Sequence, residues 1–373
     1  MTEPLILVSA GGTGGHLFPA ESLANALKAA GARVALATDK RVGALSGSFP
    51  ADEVIEIPSA TPSGRSVPQM ARAALLLSAG IVRAVPALRR LKPAAVVGFG
   101  GYPTVPPVLA AAMLRTPTII HEQNGVMGRA NRLLARWADV IATGSATVKG
   151  IPSGIRGKIV HTGNPVRPAV IAAARAAYPR ALESEKVHLL VFGGSQGARV
   201  MSDVAPAAVE RLPANLRSRV VVAQQARPED LARVRSQYER LLSGADVQPF
   251  FTDLPDRIAK AHLVISRSGA STVAELAVIG RPSILVPLPG ALDQDQAANA
   301  RTLADIGAAL VIPEAEFTPE RLASEIQAFL DHPERLTRAA AAAKSAGITD
   351  AANRLAQAVL HFAEQRISKG RTA

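Results

Sequence analysis

Two glycine-rich turns, each set straight after a short apolar run, constrain the fold of this chain more than any other feature. Gly11-Gly12-Thr13-Gly14-Gly15-His16 follows Leu5 to Val8, and 182 residues further on Gly193-Gly194-Ser195-Gln196-Gly197-Ala198 follows Leu189 to Phe192. Glycines at a strand end let backbone N–H groups approach a ligand closely. In both copies an Ala/Leu-rich helical stretch comes next, so each turn is suited to hold phosphate at a helix N-terminus. The repeat predicts two similar halves, with a nucleotide on one side and a second phosphorylated substrate on the other.

At 373 residues the chain exceeds one comfortable hydrophobic core, and two domains of roughly 150 to 200 residues are expected. Hydrophobic residues make up 48% and charged residues 19%, the balance of a globular chain rather than a disordered one. No uninterrupted apolar run reaches the ~20 residues that span a bilayer, and the first residues lack the basic-then-apolar order of a secretion signal, so a cytoplasmic location is expected. With no cysteine there is no disulfide, thiolate nucleophile or thiolate metal site.

Short apolar runs alternate with amphipathic stretches along the whole chain. The first half has Leu5 to Val8, Val34 to Ala37, Ala94 to Val97 and Thr118 to Ile120; the second has Leu189 to Phe192, Val220 to Ala223, Leu263 to Ile265 and Ile284 to Val286. Continuous apolar strands between helices imply parallel sheets covered on both faces, hence α/β doubly wound domains whose ligands bind at the carboxyl ends of the strands. Gly163-Asn164-Pro165-Val166-Arg167-Pro168 breaks the pattern with two prolines and is expected to join a first domain, 1–165, to a second, 166–345. Pro58 to Pro68 reads as a surface loop. The Ala-rich stretch Arg338 to Gln365 reads as helical, its last part, about 346–366, packing back on the first domain, while Ile367 to Ala373 is expected to fray.

The net charge of +12 is local. Residues 1–165 hold 17 Lys and Arg against 8 Asp and Glu, a balance of +9 that leaves +3 for the rest. Residues 70–91 interleave Leu75, Leu76, Leu77, Ile81, Val82, Val85 and Leu88 with Arg72, Arg83, Arg89 and Arg90 and contain no acid. This is the composition of a helix that touches an anionic membrane surface, and also that of a core helix with a wet outer face. Pro86 is expected to interrupt any single long helix here. Aromatic content of 3% leaves few stacking platforms and no nucleic-acid module is recognisable, so no nucleic acid partner is expected.

The glycine turns do not fit the dinucleotide fingerprint. Its third glycine would fall at Leu17, and although Asp39 follows the second strand of the first half, the second half has Gln224 and Gln225 in the corresponding place. Ser266 to Leu276 follows an apolar strand and opens a helix with small hydroxylated residues whose N–H groups suit a diphosphate, with Glu275 placed for a ribose diol; a plain capped helix reads the same way. Asp293-Gln294-Asp295-Gln296 offers acceptors and amides suited to sugar hydroxyls, or is an exposed polar loop. His121-Glu122-Gln123-Asn124 sets four polar side chains at a strand end, which requires partners, either a ligand or a structural network. Asn164 and Arg167 lie in the joining segment, where an arginine can neutralise a departing phosphate.

Taken together, GGTGGHLFP (Gly11 to Pro19), Gly100-Gly101-Tyr102, HEQNG (His121 to Gly125), GNPVR (Gly163 to Arg167), GGSQGAR (Gly193 to Arg199) and Arg267 to Glu275, in this order and spacing, resemble the MurG family. These are the UDP-N-acetylglucosamine:undecaprenyl-diphosphate-muramoyl-pentapeptide N-acetylglucosaminyltransferases of peptidoglycan synthesis. The resemblance covers nearly the whole chain. It implies the GT-B glycosyltransferase fold, two Rossmann-like doubly wound domains facing a deep cleft. It further implies that UDP-N-acetylglucosamine is held mainly by the second domain. Phe251 would meet the uracil through its backbone, Glu275 the ribose, Ser195 with Ala270, Ser271, Thr272 and Val273 the diphosphate, and Gln296 the sugar. Thr13, Gly14, Gly15, Asn124 and Arg167 complete the implied site. Where members often carry adjacent glutamines, this chain has Asp295-Gln296 in a loop one residue longer, which leaves the sugar contacts of Gln294 to Gln296 open.

The reaction so implied is inverting transfer of N-acetylglucosamine to the C4 hydroxyl of the muramic acid of lipid I, giving lipid II at the cytoplasmic face of the bacterial inner membrane. A peripheral membrane contact through the basic apolar surface is implied with it, and other cell-wall synthesis proteins are candidate partners. Inversion in one displacement requires a base near the attacking hydroxyl and stabilisation of the departing UDP. His16 is the candidate base because imidazole titrates near neutrality, Glu122 is its rival, and a His16 that only braces its loop is the third reading. A helix dipole, Ser195 and Arg167 are suited to neutralise phosphate, so neither a metal nor an organic cofactor is expected. A glycosyltransferase with a soluble acceptor, a UDP-N-acetylglucosamine 2-epimerase and a UDP-sugar-binding module without turnover are the alternatives, the epimerase lacking support from HEQNG and GNPVR.

Overall fold

Each short apolar run of the sequence forms a strand of a parallel sheet. The computed structural model describes residues 3–11, 14–39, 49–60, 66–179, 186–194, 197–242, 244–290 and 294–371. Contacts divide the chain into two units, Met1–Arg167 with Thr349–Ala373, and Pro168–Ile348. The first contains β1 (Leu5–Ser9), α1 (Gly14–Ala29), β2 (Arg33–Thr38), β3 (Glu53–Glu56), α2 (Val67–Leu91), β4 (Ala95–Gly98), α3 (Val105–Met113), β5 (Thr118–Glu122), α4 (Arg129–Leu134), β6 (Val140–Thr143) and β7 (Lys158–His161). The second contains α5 (Pro168–Ala173), β8 (Val187–Phe192), α6 (Arg199–Arg211), α7 (Ala214–Arg217), β9 (Val220–Gln225), α8 (Leu231–Leu241), β10 (Ala245–Gln248), α9 (Leu254–Lys260), β11 (Leu263–Ser266), α10 (Ala270–Ile279), β12 (Ser283–Leu285), α11 (Asp295–Ala304), β13 (Ala309–Val311), α12 (Pro319–Asp331) and α13 (Pro333–Ala346). A last helix, α14 (Ala351–Arg371), belongs to the first unit.

The first sheet has the order β3-β2-β1-β4-β5-β6-β7 and the second β10-β9-β8-β11-β12-β13, and neighbouring strands pair in parallel. In each unit the chain starts at a central strand, winds to one edge, returns and winds to the other. The order therefore reverses between β1 and β4 and between β8 and β11. Alternate residues of a strand face opposite sides. Ile6 and Val8 of β1 accordingly enter a core with α1 and α14, while Leu7 enters a second core with α2, α3 and α4. Burial on both faces explains why these strands read as continuous apolar runs rather than alternating ones.

Three sequence expectations are corrected here. α2 runs unbroken through Pro86, whose ring is exposed. The proline forfeits one hydrogen bond to the Val82 carbonyl, but Ala84 and Leu88 on either side are anchored in the core against α3 and the sheet, which holds the helix together. By length and composition Pro68–Leu91 is also apolar enough to cross a membrane, which counting uninterrupted runs had not suggested. Its Ala73, Ala84 and Leu88 are nonetheless buried at helical spacing while Leu75 and Val82 are 71% and 73% exposed. Finally, α14 continues to Arg371 rather than fraying at Ile367.

Leu355, Ala356, Val359 and Ala363 of α14 are buried against Leu23, Leu27 and the β1–β4 strands of the first unit. Leu355→Ala leaves a cavity in this core and is expected to cost about 3 kcal/mol, read as a lower urea midpoint, whereas Leu75→Ala should stay within about 0.5 kcal/mol. Equal effects of the two substitutions would show that α14 is not part of the core.

Candidate active site

In a doubly wound sheet the ligand crevice lies at the carboxyl ends of the strands, beside the point where strand order reverses. In the first unit this is where the turns after β1 and β4 meet. α1 starts at Gly14, with Gly15 exposed and His16 half-buried in its first turn, while Thr13 lies outside the described residues. After β4, Gly100 and Gly101 adopt φ of +82° and +71°, which favours glycine, and a Cβ on them would come 3.5 Å from Cε1 and 3.4 Å from Cδ2 of His16. The imidazole thus rests against the glycine pair at van der Waals distance. On the other side of α1, a Cβ on Gly14 would lie 2.9 Å from the Phe18 ring, and the Arg167 guanidinium sits over that same ring, 4.5 Å from its centroid. Glu21, one turn along, has its carboxyl pushed up by burial and pulled down by Arg167. Arg167 is therefore brought to the first turns of α1.

The strand β5 extends through His121 and Glu122, so these polar residues end the strand rather than follow it. The His121 ring is fully buried against Phe99; its Nε2 donates to the Gly163 carbonyl at 3.1 Å, which leaves Nδ1 to accept from Gln123 Nε2 at 3.2 Å. Burial pushes its pKa down to about 4, with the Gly163 bond acting the other way. Glu122 is 1% exposed. Its Oε1 accepts from the Asn124 N–H at 3.0 Å and Asn124 Nδ2 at 3.2 Å, and its Oε2 from the Gly128 N–H and from Asn131 Nδ2, both at 2.9 Å. Four donors occupy both oxygens of a carboxylate that solvent barely reaches. Glu122 is thereby built to hold the 124–131 segment, which argues against its expected rivalry with His16 as a base. Asn131 also donates to the His121 carbonyl and lies beside Gly100, linking this network to the turn that carries His16. Asn164 is buried beside Gly144.

The second unit has the equivalent crevice after β8 and β11. A Cβ on Gly193 would lie 2.2 Å from the Ala198 nitrogen, so Gly193 packs directly against Ala198, and the Gly193 N–H donates to Gln225 Oε1 at 3.1 Å. Ser195 lies outside the described residues. α10 starts after Gly269, so Ala270, Ser271, Thr272 and Val273 form its first turn and Glu275 follows, buried. Arg267 donates to the Val286 and Pro287 carbonyls at 3.1 and 3.2 Å and pairs with Glu314. Ser268 Oγ donates to the Gln296 carbonyl at 2.8 Å, and Gln296 Oε1 accepts from the Leu288 N–H at 3.1 Å. These bonds bring Gln296, at the start of α11, beside the start of α10. Phe251 stands apart on the loop after β10, its ring buried under the Arg257 guanidinium 4.1 Å from the centroid. Arg257 is itself held by Asp253 and Asp246. The ring is thus covered, and only the backbone of Phe251 is suited to meet a ligand.

Residues 6–143 match the glycosyltransferase family 28 N-terminal domain and residues 188–355 the glycosyltransferase family 28 C-terminal domain. A protein of Methylorubrum populi, named UDP-N-acetylglucosamine--N-acetylmuramyl-(pentapeptide) pyrophosphoryl-undecaprenol N-acetylglucosamine transferase, is 63% identical over 361 residues, 96% of this chain and 98% of its own. One of the same name from Nitrobacter hamburgensis is 53% identical over 362 residues, 97% of this chain and 98% of its own. The chain belongs to the MurG family. The crystal structure of Acinetobacter baumannii MurG matches with a TM-score of 0.76 at 29% identity, covering 96% of this chain and all of that one, which identifies the GT-B fold. In the sequence of this MurG family member Asn131 and Glu314 carry no motif, and Gln225 reads only as the absence of an acid. Asn131 lies close to HEQNG along the chain, but nothing local marks Glu314 or the bracing role of Gln225.

His121 supplies a pH dependence of stability. Its imidazole is held near 4 in the folded state and near 6.5 in the unfolded state, so the unfolded chain takes up the proton first as pH falls. The contribution is intact above about pH 6.5 and lost progressively toward pH 4, amounting to about 3 kcal/mol there. Denaturant titrations at pH 7 and 4.5 should show a smaller loss for His121→Gln than for the native protein; His262, also depressed to about 4, is common to both and cancels. Identical losses would rule out this role.

Proposed function

We infer that this chain transfers N-acetylglucosamine from UDP-N-acetylglucosamine to the C4 hydroxyl of the muramic acid of lipid I, with inversion, forming lipid II. The observation that carries this is the 63% identity, over 96% of the chain, to a relative named for that transfer. The acceptor is assigned to a first domain, 1–165 with the C-terminal helix, and the donor to a second, 166–345.

In the donor half, the N–H groups of Ala270, Ser271, Thr272 and Val273 at the start of α10 receive the diphosphate together with Ser195, where the positive end of the helix dipole favours the anion. Glu275 takes the ribose hydroxyls and the Phe251 backbone the uracil. With Oε1 of Gln296 engaged by Leu288, its Nε2 is the donor for a sugar oxygen. In the acceptor half, Gly14 and Gly15 offer the free backbone N–H groups of the start of α1, Asn124 a carboxamide and Arg167 a cation, and Thr13 is assigned to the same site. His16 takes the proton of the C4 hydroxyl while the oxygen attacks the anomeric carbon; the bond to the diphosphate oxygen breaks and UDP leaves as the anion that these groups stabilise. The support for His16 as base is the placing of its half-buried ring against the Gly100–Gly101 turn at the strand reversal. Glu122 acts through Asn124 and Asn131 as a positioning residue.

The exposed Leu75 and Val82 on α2, among Arg72, Arg83, Arg89 and Arg90, fit peripheral attachment to an anionic bilayer, the cytoplasmic face of the inner membrane. Binding to anionic vesicles is expected to weaken with salt and with Leu75→Glu and Val82→Glu together; salt-insensitive binding, or none, would remove the membrane contact. For the chemistry, His16→Ala should lower turnover of UDP-N-acetylglucosamine and a lipid I analogue by roughly 10² to 10⁴-fold with KM for the donor little changed. Near-normal turnover would show that another group takes the proton.

A further inference from the structure

Two adjacent glutamines end β9 and face opposite sides of the sheet. Gln224 is accounted for by packing: Tyr238 OH donates to its Oε1 at 2.6 Å and its Nε2 donates to the Met201 carbonyl at 3.2 Å, tying α8 and α6 to the strand. Gln225 does something different. It is 4% exposed, its Oε1 accepts from the Gly193 N–H at 3.1 Å, and its Nε2 donates to the Pro249 carbonyl at 3.3 Å. One carboxamide thus spans the glycine turn after β8 and the loop after β10.

Both attachment points are held by further contacts. A Cβ on Gly193 would lie 2.2 Å from the Ala198 nitrogen and 2.5 Å from the Gly197 carbonyl carbon, so Gly193 packs directly against the backbone of Gly197 and Ala198. Pro249 is two residues from Phe251, whose ring is clamped under Arg257, and the Ala226 N–H donates to the Gln248 carbonyl at 3.0 Å just before it. A buried side chain bonded to two packed segments fixes their separation, because a changed length would leave a buried N–H or C=O without a partner.

We propose that Gln225 is a positioning residue that sets the distance between the glycine turn facing the donor's diphosphate and the Pro249–Phe251 backbone facing its base. This rests on the donor site proposed for the second unit. A nucleoside diphosphate reaches both segments and senses their spacing; a nucleoside alone reaches only one. The position that holds a ribose-binding acid in dinucleotide folds carries here a neutral ruler between two loops.

The test uses the full chain, with calorimetry for UDP, ligand-observed NMR for uridine, and steady-state kinetics. Gln225→Leu is expected to weaken UDP binding and raise KM for UDP-N-acetylglucosamine about tenfold, with uridine affinity, KM for the lipid acceptor and kcat within about twofold. Should that variant fail to fold, Gln225→Glu, which keeps the volume and the acceptor for Gly193 but sets an oxygen against the Pro249 carbonyl, carries the same expectation. UDP binding equal to the native protein's overturns the proposal. A uridine loss matching the UDP loss also overturns it, since that reports a distorted base loop. Failure of the native protein to bind UDP overturns the donor site itself, before any variant is made.

Discussion

The parallel hydrogen-bond ladder between β1 and β4, and its counterpart between β8 and β11, is the constraint from which the rest follows. Parallel pairing sends every strand of a unit in one direction, so all the carboxyl ends, with the loops they feed, fall on one edge. Strand order reverses at these two pairs, and the connections diverge to opposite faces, leaving room for the turns that follow. His16 at the start of α1 and Gly100–Gly101 share that room in the first unit, and Gly193–Gly194 after β8 and the start of α10 after β11 border it in the second.

Loops on an open edge need bracing, and both units supply it with buried side chains that bond to backbone. Glu122 gathers two backbone N–H groups and two carboxamides; Arg267 collects two carbonyls and Glu314; Gln225 joins one N–H and one carbonyl. In a low-dielectric interior such bonds are directional and costly to leave unmade, so each loop has one favoured shape. This separates residues that brace from residues suited to touch substrate. Glu122 and His121 fall in the first class despite belonging to a motif that also contains Asn124, because they lie inside the sheet edge rather than on it.

The strands, their parallel sense and the glycine turns were legible because continuous apolar runs bounded by glycine are local signals. The family was legible because six motifs occur in order. Pro86 was misread because its local penalty is outweighed by the anchoring of Ala84 and Leu88 in a core built from distant strands. Glu122 reads two ways because its donors, though all within nine residues, converge on it only once the 124–131 segment folds back over the strand end. Gln225 was seen only as a missing acid, since its partners Gly193 and Pro249 lie on other strand ends. Thr13 and Ser195, and with them part of each glycine turn, fall outside the described residues.

The amino-acid sequence by itself determined the fold class, the two-unit organisation, the charge asymmetry and the family, all of which are written in short-range pattern and motif spacing. The tertiary structure alone decided which polar residues brace the loops and which face outward: His16 on its glycine pair, Arg167 over Phe18, Glu122 enclosed by donors, Phe251 covered by Arg257. For His16 and Arg167 the partners are brought together from far along the chain; for Glu122 and Phe251 they lie within nine residues, and it is burial, which has no local signature in sequence, that decides the role.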